Sequence, residues 1–231
     1  GVYLTDRTTV EKAEKMKVGT CLNPLHTALA VYGCLLGYTS IAAEMGDADL
    51  KALVEQIAAE SLPVVEDPGI LSPRAFIDEV LHERFPNPAI PDTPQRIAAD
   101  TSQKLPVRYG GTLRRYARQS EQALAGLEFA PLVFAGWCRY LLGVDDRGNA
   151  MPVSPDPMLP QLQAHLKGIE VGRPDSLAGQ LRPILSNAAL FGVDLYAAGL
   201  GERTEEMFRD MLAGPGAVRA TLHRNCACKQ P

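Results

Sequence analysis

The sequence predicts an all-α domain, and three observations indicate that class. Alanine and leucine are abundant, aromatic residues make up only 6% of the 231 residues, and runs of β-branched residues are few. No stretch alternates apolar and polar residues for long enough to build a sheet. Apolar residues instead recur at helical spacing, as between Leu50 and Ile57. At about 150 residues per domain the length allows one large domain or two small ones, and we expect one.

The first half of the chain is expected to contain a long buried central helix. Thr8 or Thr9 can cap a charged first helix. Residues 25–45 are apolar nearly all round, which is typical of a helix buried on most faces, and Gly46 can end it. Asp47 is then placed to cap the helix that follows.

Proline residues delimit the predicted helices further along the chain. Ser72 followed by proline predicts one helix start. Asp92 or Thr93 followed by proline predicts another, and Pro106 is expected to end that helix. We expect a basic helix over 112–118, a strongly apolar one over 127–142, a loop over 143–160 and about three more helices over 159–224.

Composition and charge exclude several classes of protein. The hydrophobic fraction of 46% is too high for a disordered chain, and a formal net charge of −4 argues against sequence-blind nucleic-acid binding. No stretch is apolar for long enough to predict a membrane span, and the first residues lack a signal-peptide pattern. We therefore expect no nucleic-acid partner and no membrane partner. No glycine-rich phosphate loop follows a predicted strand.

The five cysteines predict a reducing compartment, which we take to be the cytoplasm. Their odd number and their spacing give no disulfide framework. Cys226 and Cys228 lie near His223, but one intervening residue is the wrong spacing for a usual zinc knuckle. We expect a frayed tail with free thiols there, and no metal site.

A lysine, an amide and an imidazole lie close together in the sequence where the central helix begins. A lysine beside apolar groups has a lowered pKa and can act as a general base, so Lys17 is a candidate, with Lys15 as the alternative. Asn23 can donate its amide to an oxyanion, and His26 can hydrogen-bond a substrate hydroxyl. Alternatively, Asn23 caps the helix, with Pro24 in its first turn, and His26 is a partly buried structural side chain.

A second cluster consists of Arg96, Asp100 and Lys104. Their four-residue spacing predicts that all three project from one face of one helix. Two cations flanking a carboxylate can grip an anionic or polyhydroxy ligand. Alternatively, the three residues form a solvated, salt-bridged helix face.

Two stretches of the chain resemble the polyol-specific long-chain dehydrogenase family, which includes mannitol 2-dehydrogenase and fructuronate reductase (mannonate oxidoreductase). In residues 17–38, a lysine precedes Leu-Asn23-x-x-His26, and a small-residue, apolar helix ends in Gly-Tyr. In residues 87–106, an arginine and a lysine eight residues apart match the family's substrate-binding pair. The stretch that begins at Trp137 is compatible with the family as well.

The resemblance implies a function and a role for each candidate residue. Family members reduce a keto sugar or keto sugar acid at C2 with NAD or NADP as cofactor, or oxidise the matching alcohol, without a metal. The implied pairs are fructuronate with mannonate and fructose with mannitol. On this resemblance Lys17 is the general acid/base, and Asn23 and His26 polarise the reacting oxygen. Arg96 and Lys104 bind the substrate.

The chain departs from the family pattern in the position of the lysine. The family's lysine-to-asparagine spacing is one residue shorter than the spacing from Lys17 to Asn23. Strict counting therefore places Val18 at the lysine position. A one-residue bulge before the helix would restore the geometry for Lys17, and Lys15 is the alternative.

A second departure concerns the extent of the chain. Family members carry an N-terminal Rossmann domain that binds most of the cofactor, and this chain begins near the point where that domain ends. We interpret residues 1–231 as the helical C-terminal substrate and catalytic domain, with a multi-helical fold like that of 6-phosphogluconate dehydrogenase. The Rossmann domain is expected to be absent from this chain and to be its partner. Alternatively, the chain isolated from that domain is a non-catalytic helical binding module.

Overall fold

The computed structural model of the chain describes residues 4–227, and every regular element in that range is a helix. Within the same range the only extended pairings are two isolated antiparallel bridges, Val144 with Ala150 and Glu170 with Arg173. The predicted all-α class is therefore confirmed.

Fifteen α-helices make up most of the described range. Those of the first half are α1 (Arg7–Met16), α2 (Asn23–Leu36), α3 (Ile41–Glu44), α4 (Ala48–Ser61), α5 (Pro73–Glu79), α6 (Pro94–Ile97), α7 (Thr101–Arg108) and α8 (Gly110–Gln119). Those of the second half are α9 (Glu121–Ala125), α10 (Phe129–Tyr140), α11 (Leu159–His165), α12 (Arg182–Leu185), α13 (Ala188–Phe191), α14 (Gly201–Met211) and α15 (Ala217–Ala227). Two π-helical turns, Lys17–Cys21 and Val80–Arg84, and two 3-10 turns, Leu62–Val64 and Pro174–Ser176, accompany them. None of the described helices is long and apolar enough to cross a membrane.

The core is built around α2 and α10, which are buried on nearly all faces. Twelve of the 14 residues of α2 and all 12 residues of α10 are buried. The helices approach closely at Gly136, where a Cβ atom would lie 2.7 Å from the Cζ atom of Tyr32. The Tyr32 hydroxyl donates to the Leu132 carbonyl oxygen at 2.8 Å, so the crossing also satisfies a buried polar group. The predicted buried central helix is therefore confirmed.

This central helix is shorter than the apolar run that predicted it. α2 ends at Leu36 because Gly37 adopts the left-handed conformation, with φ 81°, that commonly ends helices. Ser40 then caps the separate helix α3 by accepting a hydrogen bond from the Ala43 N–H at 3.2 Å. The stretch that we expected to be one helix over 25–45 is thus two helices joined by a turn.

Most of the helix starts that capping residues predicted are confirmed. Asp47, Ser72 and Thr93 each accept a hydrogen bond from a backbone N–H in the first turn of the following helix. The prediction of Thr8 or Thr9 as the first cap is wrong. Asp6 caps α1 instead, accepting from the Thr9 N–H at 3.0 Å.

The helix expected from residue 94 to residue 106 is divided into α6 and α7. α6 ends at Ile97, and Asp100 adopts a left-handed conformation with φ 52°, so that α7 begins afresh at Thr101. The cap of α7 comes from a distant loop, because the Asp156 carboxylate accepts from the Ser102 N–H at 2.8 Å. The loop that follows α10 therefore holds α7 in place.

Three further expectations are corrected. Pro106 does not end its helix, since α7 continues to Arg108 and loses only the one hydrogen bond that a proline cannot donate. Residues 159–224 hold parts of five helices, α11 to α15, rather than about three. Cys226 does not lie in a frayed tail but is buried in α15, with 1% of its surface exposed. Cys228 lies outside the described residues.

Candidate functional site

α6 and α7 both pack against α2 and so assemble the candidate site. Two hydrogen bonds anchor the end of α7 to the start of α2. The Tyr109 hydroxyl donates to the Pro24 carbonyl oxygen at 2.7 Å, and the Arg108 Nη1 donates to the Thr27 hydroxyl at 2.6 Å. Residues 92–108 are thereby brought beside the first turn of α2.

His26 is a buried imidazole beside a carboxylate. Its Nε2 lies 3.3 Å from the Oδ2 of Asp92, but the approach lacks hydrogen-bond geometry, and within the described chain this buried nitrogen has no hydrogen-bond partner. The ring packs in a tilted arrangement on Phe85, with 5.2 Å between the centroids. Burial lowers the pKa of His26 to about 4, outweighing the opposite effect of Asp92. The imidazole is therefore neutral at pH 7.

Asp92 lies between His26 and Arg96. Its other carboxylate oxygen accepts a hydrogen bond from the Arg96 guanidinium, which lies four residues later. The Asp92 side chain is only 15% exposed, whereas that of Arg96 is 64% exposed. Asp92 thus anchors the Arg96 guanidinium at the edge of the site, while most of the arginine side chain faces solvent.

Lys104 closes the C-terminal end of α6. Its ammonium donates to the Ile97 carbonyl oxygen at 3.0 Å and to the Ala99 carbonyl oxygen. A positive charge is favourable there because the last carbonyls of a helix carry partial negative charge. Partial burial lowers the pKa of Lys104, and the charge of Arg108 lowers it further. Lys104 is therefore a half-buried cation held by neutral carbonyl groups.

The prediction that Arg96, Asp100 and Lys104 share one helix face is wrong. The left-handed turn at Asp100 separates α6, which carries Arg96, from α7, which carries Lys104. Among the described residues no ion pair joins Asp100 to either cation, and Arg96 pairs with Asp92 instead. The alternative of a salt-bridged face formed by these three residues is excluded as well.

Asn23 is the first residue of α2. The N-cap position of α2 is occupied by Leu22, whose side chain cannot accept a hydrogen bond, so Asn23 is not the capping residue. Its side chain is half-buried and makes no hydrogen bond within the described range, although its carbonyl oxygen accepts from the Thr27 hydroxyl at 2.9 Å. The amide donors of Asn23 are thus available to a ligand.

Lys17 begins the π-helical turn that connects α1 to α2. The Leu22 N–H donates to the Lys17 carbonyl oxygen at 3.0 Å, a bond that encloses one residue more than an α-helical turn. The Lys17 Nζ lies 5.3 Å from the centroid of the Phe76 ring, so it makes a cation–π contact. In the described chain no hydrogen bond or ion pair joins Lys17 to Asn23 or His26.

Lys15 lies elsewhere, at the edge of an open cleft of about 960 Å³. The lining of this cleft includes Val18 and Val107 together with the basic residues Arg114 and Arg118 of α8. None of Lys17, Asn23, His26, Arg96 and Lys104 lines it. Of the residues considered for the lysine position, Lys15 and Val18 line this cleft and Lys17 does not.

The sequence pattern alone does not identify two residues of the site. Asp92 is predicted only as a helix cap, although its four-residue spacing to Arg96 is a signal of an ion pair on a helix turn. Arg108 is not among the predicted residues, although it follows Lys104 by four residues and so shares its face of α7. Among the described residues no group of three or more histidine, cysteine, aspartate or glutamate side chains is arranged to hold a metal ion.

Comparisons with known sequences agree with one another. A family model described as the mannitol dehydrogenase C-terminal domain matches residues 9–206. The D-mannonate oxidoreductase of Thermotoga maritima is 57% identical over 221 residues, which cover 96% of this chain and 41% of that protein. The mannitol 2-dehydrogenase of Emericella nidulans is 36% identical over 199 residues, which cover 82% of this chain and 35% of that protein.

A solved structure is similar to the whole chain. It is a Pseudomonas fluorescens mannitol 2-dehydrogenase in a ternary complex with NAD and D-mannitol, with a TM-score of 0.80 and 27% sequence identity. The match covers 100% of this chain and 43% of that one. The chain thus spans less than half the length of each of these three relatives.

Proposed function

The chain belongs to the family of mannitol dehydrogenase C-terminal domains, and on that basis we propose that it is the substrate-binding and catalytic domain of an NAD(P)-dependent oxidoreductase. Its reaction interconverts a 2-keto sugar or sugar acid with the corresponding alcohol. The observation that carries the proposal is that the Asn23 amide, which makes no hydrogen bond within the described residues, lies on the same first turn of α2 as the neutral, buried His26.

Asn23 and His26 act on the substrate oxygen at C2. The Asn23 amide donates a hydrogen bond to that oxygen, where negative charge develops when the carbonyl is reduced. Because Asp92 lies beside His26 Nε2, a proton on that nitrogen faces the carboxylate, and Nδ1 is left to accept a hydrogen bond from a substrate hydroxyl. Asp92 is thus an electrostatic partner of the imidazole.

Lys17 gives a proton to the C2 oxygen during reduction and takes it back during oxidation. The π-helical turn supports Lys17 over Val18, because it inserts the one residue by which the lysine-to-asparagine spacing exceeds the family's. Contact with Phe76 places the ammonium against an apolar ring rather than in bulk water. The reaction we propose needs no metal, as the resemblance to the family implies.

Arg96 and Lys104 hold the part of the substrate remote from C2. Arg96 is exposed and can reach a ligand while Asp92 anchors it. Two of the three Lys104 N–H donors serve carbonyl oxygens, which leaves one donor for a substrate hydroxyl or carboxylate. The 57% identity to a D-mannonate oxidoreductase favours a sugar acid, fructuronate or mannonate, over fructose or mannitol.

The cofactor site is assigned to a separate N-terminal Rossmann domain. The described residues contain no strand and hence no glycine-rich turn between a strand and a helix, so they do not fit a dinucleotide phosphate site. When bound, NAD or NADP supplies or accepts the hydride, while the residues of this chain orient the substrate and move the proton. The four described cysteines are unpaired, which is compatible with the cytoplasm as the compartment.

The test is activity of the complete protein, with this chain joined to its cofactor domain, on fructuronate and fructose with NADH and NADPH. Lys17→Ala should lower kcat by about 100-fold to 10,000-fold, because a general acid contributes that much. Lys15→Ala is the matched control and should change kcat little. No turnover of either substrate by the wild type refutes the function, and normal turnover by Lys17→Ala refutes the role of Lys17.

A second candidate is a non-catalytic helical binding module. The described residues contain no dinucleotide phosphate site, which favours this candidate for the chain when it is alone. Titration of the 231-residue chain with NADH separates the two ideas. We expect no stoichiometric binding, and tight binding would contradict the assignment of the cofactor to another domain.

A further inference from the structure

Among the described residues, no carboxylate pairs with the half-buried guanidinium group of Arg108. Its one hydrogen bond in the described range goes from Nη1 to the Thr27 hydroxyl, which is uncharged. Burial lowers the pKa of Arg108, because removing the charge from water disfavours it. Two other half-buried arginines pair with carboxylates, Arg115 with Glu66 at 3.0 Å and Arg219 with Asp47 at 2.5 Å. Half-buried Arg203 instead donates to two backbone carbonyl oxygens.

Arg108 lies at the candidate site rather than elsewhere on the surface. Thr27, which it contacts, follows His26 directly and donates to the Asn23 carbonyl oxygen. Lys104 precedes Arg108 by one helical turn, so the two cations share a face of α7. Like charges at this spacing repel each other, and in the described chain neither cation has an acidic side chain as a direct partner.

We propose that Arg108 is a specificity-determining residue that, with Lys104, binds the carboxylate of a sugar-acid substrate. A guanidinium presents five N–H donors in a planar fork that matches a carboxylate, and Thr27 occupies only one of them. A carboxylate offsets the repulsion between Arg108 and Lys104, whereas a hydroxyl group cannot. The inference rests on the proposed function and deepens it, since it selects acids over neutral sugars.

The first experiment compares Arg108→Met with the wild type in the complete enzyme. Arg108→Met should lower kcat/KM for fructuronate about 10-fold to 100-fold more than kcat/KM for fructose, mainly through KM, because only the acid loses a charge-assisted hydrogen bond. Loss of the contact with Thr27 affects both sugars alike and cancels in this ratio. Arg118→Met is the matched control, because Arg118 is an exposed arginine on α8 that lines the separate cleft beside Lys15. Equal losses on both sugars, or no loss on either, would overturn the assignment.

Two further measurements test whether the anion that Arg108 binds is the substrate carboxylate. Arg108→Met should leave the KM for NADH unchanged, and a rise confined to that KM would identify the cofactor as the anion and overturn the proposal. Titration of the 231-residue chain with mannonate and mannitol, followed by NMR, should show mannonate binding that Arg108→Met abolishes.

The two hypotheses fail in different ways. If the wild-type enzyme turns over no keto sugar but the chain binds mannonate through Arg108, the proposed function fails and the anion site stands. If the enzyme is active, and Arg108→Met matches the wild type both in its preference for fructuronate over fructose and in mannonate binding, the proposed function stands and the role of Arg108 fails.

Discussion

Glu44 is a fully buried carboxyl group, and neither of its oxygens has a hydrogen-bond partner in the described part of the chain. It fills the space beside Gly33, where a Cβ atom would overlap its carboxyl group and lie 2.8 Å from the Cγ of Pro94. Burial raises the pKa of Glu44 to about 9, and the charge of Asp47 adds to the rise. Glu44 is therefore protonated at neutral pH in the folded chain.

This raised pKa makes the stability of the fold depend on pH. An unfolded glutamate loses its proton near pH 4.5, whereas the folded chain keeps it up to about pH 9. The stability that the protonated form contributes is complete below the unfolded pKa and is lost as the pH rises toward the folded one. Each pH unit in this window costs about 1.4 kcal/mol, so the loss from pH 5 to pH 8 is about 4 kcal/mol at most.

Glu44→Gln removes the titrating group and keeps its shape. The free energy of unfolding is measured with urea at pH 5 and at pH 8. Between these two pH values it should fall less in Glu44→Gln than in the wild type, and the difference between the two falls should be about 4 kcal/mol at most. Exposed Glu79→Gln is the matched control and should follow the wild type. Other titrating groups, His26 among them, are common to both proteins and cancel in the difference. Parallel curves for the wild type and Glu44→Gln would refute the reasoning.

Two other predictions follow from buried titratable groups. Glu60→Ala should lower the free energy of unfolding by about 1–3 kcal/mol. The reason is that the Glu60 carboxylate accepts hydrogen bonds from the N–H groups of residues 128–130, where α10 begins. A loss below about 0.5 kcal/mol in urea unfolding would contradict this. NMR titration should give His26 a pKa of about 4, against 6.5 when unfolded, so that the stability due to its neutral ring is complete above pH 6.5 and falls by up to about 3 kcal/mol as the pH drops toward 4. A ring that titrates near 6.5 would refute the burial argument.

Local signals predicted where helices begin but not how distant segments hold them. Asp47, Ser72 and Thr93 cap N–H groups two or three residues away, so a short window of sequence contains both partners. Glu60 caps α10 from 68 residues before Glu128, and no local pattern records that contact. α7 is similar, because its cap comes from a loop 54 residues later in the chain.

The candidate site also combines residues whose proximity local sequence predicts with residues that only tertiary packing brings together. Asn23 and His26 lie three residues apart on one helix, so their neighbourhood follows from the helical repeat alone. Asp92 reaches His26 only because α6 returns to pack on α2. The left-handed turn at Asp100 carries no strong signal, since aspartate merely tolerates that conformation, and the four-residue spacing across it indicated a continuous helix.

The π-helical turn at Lys17–Cys21 changes how positions in this chain should be numbered against those of a chain without such a turn. An extra residue in a regular α-helix would rotate everything before it by about 100° around the axis. Here the wider turn absorbs the residue locally, and the helices on either side keep their own hydrogen-bonded registers. If a relative lacks the turn and has its lysine five residues before the asparagine, a gap-free alignment from Asn23 pairs that lysine with Val18. A gap placed between residues 17 and 22 pairs it with Lys17 instead, as we propose.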